Sequence, residues 1–218
     1  MSRRYPLIVF DWDGTLMDST VGITRAIQEA ARDMGLPVPS RDRASHVIGL
    51  GLQDALQSAV PELRPEDYGA FVEHYRKHFF TAEEQMALFE GAREMLAALR
   101  ARGHQLAVAT GKSRRGLDRA LDALDLRAMF DATRCADETR PKPDPAMLHE
   151  LMEELDQPAA RLLMIGDTSH DLGMARAAGV EAVAVCYGAH KPEDLQAWSP
   201  AACVGSIEEL HRWLKANA

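Results

Sequence analysis

The chain has 218 residues, 46% hydrophobic and 27% charged, with a formal net charge of −8. That balance describes a globular chain able to bury a core, and it excludes a disordered or collagen-like one. With no long basic run, no long apolar span and no signal-peptide core after Met1-Ser2-Arg3, it argues against a general nucleic-acid binder or a membrane protein.

At this length the chain is one α/β domain, or a core plus a smaller domain. Cys135, Cys186 and Cys203 are odd in number, widely spaced and without a CxxC pair, the pattern of reduced thiols in a cytoplasmic protein.

In chain order, Leu7-Ile8-Val9-Phe10 reads as a short strand buried on both faces, of the kind found in parallel sheets. It runs into Asp11-Trp12-Asp13-Gly14-Thr15-Leu16, where Gly14 and Thr15 break the strand. Two carboxylates thus stand at the C-terminal lip of a strand, where open α/β sheets bind ligands. Residues two apart on extended chain point the same way, so Asp11 and Asp13 can face one reacting group. An ordinary Asp-Gly turn is the competing reading of this stretch.

From Thr20 to Phe80 the spacing predicts only helices: 20–34, 41–46, 52–60 and 65–80, broken at Gly49-Leu50-Gly51 and at Pro61 to Pro65. After Gly91 helices and strands alternate. Strands are predicted at 105–109, 130–134, 162–165, 180–185 and 202–204; helices at 92–102, around Leu117 to Leu124, from Pro145 as first helical residue, at 169–178 and at 207–216. Alternation of this kind implies a parallel sheet covered on both faces. The expected architecture is a Rossmann-like, doubly wound α/β core (1–16 and 86–218) with an all-helical cap (17–85) inserted after the first strand.

A parallel sheet gathers its strand C-termini along one edge. Besides Asp11 and Asp13, that edge receives Thr110-Gly111-Lys112-Ser113 after the second strand and Gly166-Asp167-Thr168-Ser169-His170-Asp171 after the fourth. Lys142 lies between them in the Pro-stiffened Arg140-Pro141-Lys142-Pro143. Each piece suits phosphate chemistry. Asp11 and Asp167 offer hard oxygen ligands to Mg2+, and Thr110 a hydroxyl beside the amides of a helix start. Lys142 offers a compact charge, and Asp171 a group that orients the metal ligands. Singly, Asp167 and Asp171 read equally as acids at a helix N-terminus, Thr110 as an N-cap and Lys142 as a solvated lysine; their joint placement favours a site. The Gly111-Lys112-Ser113 run is no Walker A loop, because Leu106 stands where that loop needs glycine.

Together these residues resemble the haloacid dehalogenase superfamily, in the branch with a helical cap inserted after the first motif. Asp11 to Leu16 resembles the first motif, Thr110 the second, Lys142 the third, and Gly166 to Asp171 the fourth. The resemblance implies that Asp11 is the nucleophile and Asp13 the acid/base. It also implies that Mg2+ is held by Asp11, the Asp13 backbone carbonyl and Asp167, with Thr110 and Lys142 steadying the phosphoryl group. An acid at Asp13 points to phosphoester chemistry on a small phosphorylated metabolite, of phosphoglycolate or sugar-phosphate type. Thr110-Gly111-Lys112 departs from the Thr-Asn-Lys expected in many phosphoglycolate phosphatases. Two alternatives stay open: a β-phosphoglucomutase-like phosphomutase, and a non-catalytic binding module. Arg43 and His46, near Gly49-Leu50-Gly51 in the cap, and Gly111 are the remaining candidates for substrate contact. The expected partner is that metabolite, with no nucleic acid or membrane, the chain acting as monomer or homodimer.

Overall fold

The structure is a computed structural model and describes residues 4–83 and 86–218. Six strands, β1 (Leu7–Phe10), β2 (Gln105–Thr110), β3 (Ala132–Cys135), β4 (Leu162–Gly166), β5 (Glu181–Val185) and β6 (Ala202–Val204), form one sheet. Its order is β3-β2-β1-β4-β5-β6 and every pairing is parallel. The apolar run of β1 explains its central place, since all four of its residues are buried. Ile8 and Phe10 face one layer, with Leu96 of α5 (Ala92–Ala101), Leu117 of α6 (Arg114–Ala123) and Leu214 of α10 (Ile207–Asn217). Leu7 and Val9 face the other, with Leu148 of α7 (Ala146–Glu154), Leu172 of α8 (Ser169–Ala177) and Leu195 of α9 (Pro192–Gln196). This is the doubly wound α/β core expected from the alternating pattern.

Between β1 and α5 the chain builds a separate helical layer: α1 (Thr20–Asp33), α2 (Arg41–His46), α3 (Leu52–Ala59) and α4 (Tyr68–Glu83). It has its own apolar centre, with Ile27, Ala30, Leu56 and Phe71 almost wholly buried. The two chain crossings are tied side by side: Asp18 N donates to Ala87 O at 2.9 Å, and Phe89 N to Leu16 O at 3.0 Å. We keep the division into a core (1–16 and 86–218) and a cap (17–85) as a proposal; its second limit falls on residues 84 and 85, outside the described residues. No helix among the described residues is long and apolar enough to cross a membrane.

The structure differs from the sequence expectations at several ends. The third strand starts at Ala132, because a 3₁₀ turn over Arg127–Met129 occupies the chain just before Phe130. Pro145 precedes α7, whose first amide, Ala146 N, is bound by Asp144 Oδ1 at 2.9 Å. The helix expected over 65–80 is a 3₁₀ turn, Pro65–Asp67, followed by α4 running to Glu83. The five-residue α9 is too short to show a periodic stripe, with Leu195 alone buried.

Candidate active site

The end of β1 is fastened to its neighbour, Asp11 N donating to Ile165 O at 2.9 Å. This sets the Asp11 carboxylate beside the junction of β4 and α8. Lys142 reaches in from its loop, fully buried, and its Nζ lies 2.6 Å from both Asp11 Oδ1 and Asp171 Oδ1. Asp171 Oδ2 accepts from Thr168 Oγ1 at 2.6 Å and from Thr168 N at 3.0 Å, a reciprocal cap on α8. Asp171 is therefore a helix-terminus acid that also contacts Lys142. Asp167 is held at both oxygens, Oδ1 by the Thr15 hydroxyl at 3.0 Å and Oδ2 by Ala189 N at 2.7 Å. Gly14, at φ +84°, permits this closeness: a Cβ there would stand 2.1 Å from Asp167 Oδ2.

Among the described residues, three carboxylates share this buried space with one ammonium. Burial pushes the Asp11 carboxyl up to about 7, Lys142 opposes the shift and Asp171 adds to it. Asp167 lies well above the ordinary carboxylate range, through burial and then through the charges of Asp11 and Asp171. For Lys142, burial works to lower the ammonium, yet Asp11 and Asp171 hold it above its ordinary value. The cluster lacks positive charge. Asp11 Oδ2 is buried with no hydrogen-bond partner among the described residues. Oxygens of Asp11, Asp167 and Asp171 lie within 4.8 Å of one another. An all-oxygen donor set with one unpartnered carboxylate oxygen fits a hard divalent cation such as Mg2+.

Asp13 sits apart from this cluster. Ser19 Oγ donates to its Oδ1 at 2.7 Å, and Lys112 Nζ lies 3.0 Å from both carboxylate oxygens. Lys112 also stands 5.0 Å above the ring of Phe79 in the cap. Thr110, buried at the end of β2, accepts from Lys112 N at 3.2 Å. Asp11, Asp13, Thr110 and Gly111 all line one cavity of about 520 Å³, whose far side is Ile23, Ile27, Val47, Ile48, Leu52 and Leu56 of the cap. A Cβ on Gly111 would stand 2.5 Å from Leu50 O and 2.6 Å from Gly49 O, so the cap loop rests directly on this glycine.

Arg43 and His46 are not brought to this cavity. Both line a second one, beside His190 and Lys191. The carbonyl of His46 accepts from His170 Nε2 at 2.9 Å and His190 Nε2 at 3.0 Å, and its ring stacks on His190 at 4.5 Å. α2 therefore turns Val47 and Ile48, just beyond its end, toward Asp11 and Asp13, and its own polar residues away.

Sequence reasoning assigned no site role to Lys112, Thr15, Ser19 or Phe79. Lys112 was visible only as part of a run that resembled a phosphate loop; its partners Asp13 and Phe79 are distant in sequence, and no local spacing announces such a pairing.

The family model of haloacid dehalogenase-like hydrolases matches residues 8–185. A probable phosphatase, IndB, of Dickeya dadantii is 37% identical, covering 98% of this chain and 96% of its own. A 5′-nucleotidase of Pseudomonas aeruginosa is 34% identical, covering 98% and 97%. The crystal structure of a predicted phosphoglycolate phosphatase from Haemophilus somnus superposes with a TM-score of 0.83 at 25% identity, over 97% of this chain and 99% of that one. With most of its length matched and its four site segments converging on one sheet edge, the chain belongs to the haloacid dehalogenase-like hydrolase family.

Proposed function

We propose that this haloacid dehalogenase-like phosphatase depends on Mg2+ and hydrolyses a small phosphorylated metabolite through a phosphoryl group carried on Asp11. One observation carries the reading: Lys142 pins Asp11 Oδ1 at 2.6 Å while Oδ2 has no partner, beside a cavity that also receives Asp13. The names of relatives, a phosphatase, a 5′-nucleotidase and a phosphoglycolate phosphatase, support a phosphomonoester substrate. A net charge of −8 makes a soluble metabolite a better partner than nucleic acid or an anionic membrane surface.

Asp11, Asp167 and the Asp13 backbone carbonyl would hold the metal, which when bound neutralises charge on the carboxylates and the phosphoryl oxygens. Asp11 attacks phosphorus; the new O–P bond forms as the ester P–O bond breaks. Asp13 gives its proton to the departing alkoxide. It then takes a proton from the water that attacks the phosphorus, releasing inorganic phosphate and free Asp11. Lys142 and Thr110 donate to the phosphoryl oxygens, where positioning and charge account for most of the acceleration. The cap excludes bulk water during the first step.

The test is phosphate release from a panel of phosphorylated metabolites with Mg2+, in wild type and in Asp11→Asn. Turnover by wild type and none by the folded variant is expected; equal activity in both would remove Asp11 from the mechanism. A phosphomutase would instead isomerise sugar phosphates and release little phosphate.

A further inference from the structure

The cavity above Asp11 and Asp13 is larger and more apolar than a two-carbon acid requires. Its volume of about 520 Å³ lies in the range of about 300–1,000 Å³ typical of sites that enclose many-atom ligands. Much of its cap side is aliphatic, from Ile23 and Ile27 to Leu52 and Leu56, so a body that fills it gains by leaving water. One wall is aromatic: Tyr75 and Phe79 both line the cavity and stack at 5.7 Å with their planes 23° apart.

The charges point the same way. A small phosphorylated hydroxy-acid brings a carboxylate beside its phosphate, and an unpaired carboxylate is costly to bury. Among the described residues that line the cavity, Lys112 is engaged by Asp13 and Arg119 by Glu83 at 2.6 Å, while Arg76, Lys77 and Arg115 are exposed at the rim. No buried cation is left for a second anionic group.

Resting on the phosphatase reading above, we propose that the preferred substrate is a phosphate monoester of a ring-bearing alcohol. The ring system occupies the cap against Phe79 and Tyr75, the ester oxygen meets Asp13, and the phosphoryl group meets Asp11. A ring suits this wall better than a flexible chain of equal area, because it makes offset aromatic contacts and freezes fewer rotors.

Binding and turnover test this separately. Phenyl phosphate, a nucleoside 5′-monophosphate and 2-phosphoglycolate are titrated into Asp11→Asn with Mg2+, and the same three are assayed with wild type. At least one ring ester binds tenfold or more tightly than 2-phosphoglycolate, and its kcat/KM exceeds that of the small acid by a similar factor. The two ring arms separate an aryl from a nucleoside body. Ala55→Phe narrows the cavity, and Leu52→Trp does so from a partly exposed position if the first variant fails to fold. Either lowers the ring-to-phosphoglycolate ratio tenfold or more. Equal or tighter binding of 2-phosphoglycolate, or a ratio unmoved in folded variants, overturns the proposal while leaving the phosphatase intact. Ring esters that bind selectively but are never hydrolysed uphold the pocket assignment and overturn the reaction.

Discussion

Lys112 Nζ lies 3.0 Å from both carboxylate oxygens of Asp13 and 5.0 Å above the ring of Phe79. One core lysine thus touches Asp13, the proposed acid/base, and the cap at once. Lys112→Met is expected to lower kcat about 10- to 100-fold, because the ammonium orients the Asp13 carboxylate that would take the proton from water in the second step, a charge-assisted contact worth about 1.5–3 kcal/mol. Mg2+ affinity is expected to change little, because Lys112 touches neither Asp11 nor Asp167 and meets Asp13 through its carboxylate rather than the backbone carbonyl proposed as a ligand. Steady-state kinetics with a metal titration checks this; a wild-type kcat would show that the pair is a resting contact only.

The two acids of the first motif should fail differently. Asp11→Asn, at the proposed nucleophile, is expected to abolish turnover. Asp13→Asn leaves the nucleophile and the metal cluster in place and costs about 10²–10⁴ in kcat, the usual share of a general acid. Substrate still binds to it, and calorimetric titration separates that binding from the lost rate. Near wild-type kcat in Asp13→Asn would remove its proton-transfer role.

Among the described residues Lys142 is the one ammonium against Asp11 and Asp171, with no exposed side-chain surface. Lys142→Met leaves two buried carboxylates facing one another, and breaking a buried pair typically costs about 3–5 kcal/mol. Urea unfolding of the metal-free variant reads this directly. A midpoint equal to wild type would mean that water or a rotamer change replaces the ammonium.

Metal and pH are linked through Asp11, raised from its ordinary 3.8 to about 7 in the metal-free protein. A carboxyl raised on folding contributes stability that is fully present below pH 3.8 and lost as pH rises through about 7. Asp167 is shifted in the same direction. The metal-free protein should therefore weaken across that window, and Mg2+ should raise the thermal midpoint more at pH 8 than at pH 5. Binding should also release protons, seen by calorimetry in buffers of different ionisation heat. A Mg2+ effect of equal size at both pH values would contradict the assignment. Chelation should abolish phosphate release.

Gly111 carries the weight of the cap loop, with Gly49 O and Leu50 O inside the space a Cβ would take. Gly111→Ala should hold the cap partly open and lower kcat/KM about tenfold, while the core unfolds as before. Small-angle scattering and kinetics together check this. An asparagine here, as in Thr-Asn-Lys, would likewise meet the Gly49–Leu50 backbone.

The sheet was legible because its information is local. Leu7 to Phe10 and Leu162 to Ile165 are unbroken apolar runs, buried on both faces as such runs require. The acids Asp11 and Asp167 follow directly from those runs, so topology alone brings them to one edge. The cap was less legible. Its helices show in the apolar spacing, but the direction in which α2 faces depends on packing against α1 and on the seat at Gly111. Hence Arg43 and His46, polar and near a glycine bend, attracted attention, while Val47 and Ile48 line the cavity. Lys112 escaped for a related reason: its partners lie 99 positions away at Asp13 and across the cap interface at Phe79.

The paired crossing at Leu16–Phe89 and Asp18–Ala87 has a bearing on timing. Ser19, which donates to Asp13, lies on the cap side of that crossing, and Phe79, against Lys112, belongs to the cap as well. A cap that swings outward on this ribbon carries away the Asp13–Ser19 contact and uncovers the lysine. On the proposed mechanism, proton delivery would then be an interlock: Asp13 would be fully set only while the cap is shut, and an open enzyme carrying a phosphoryl group on Asp11 would have a disarmed base. Leakage of the phosphoryl group to stray water would be guarded by the same paired crossing that lets substrate in.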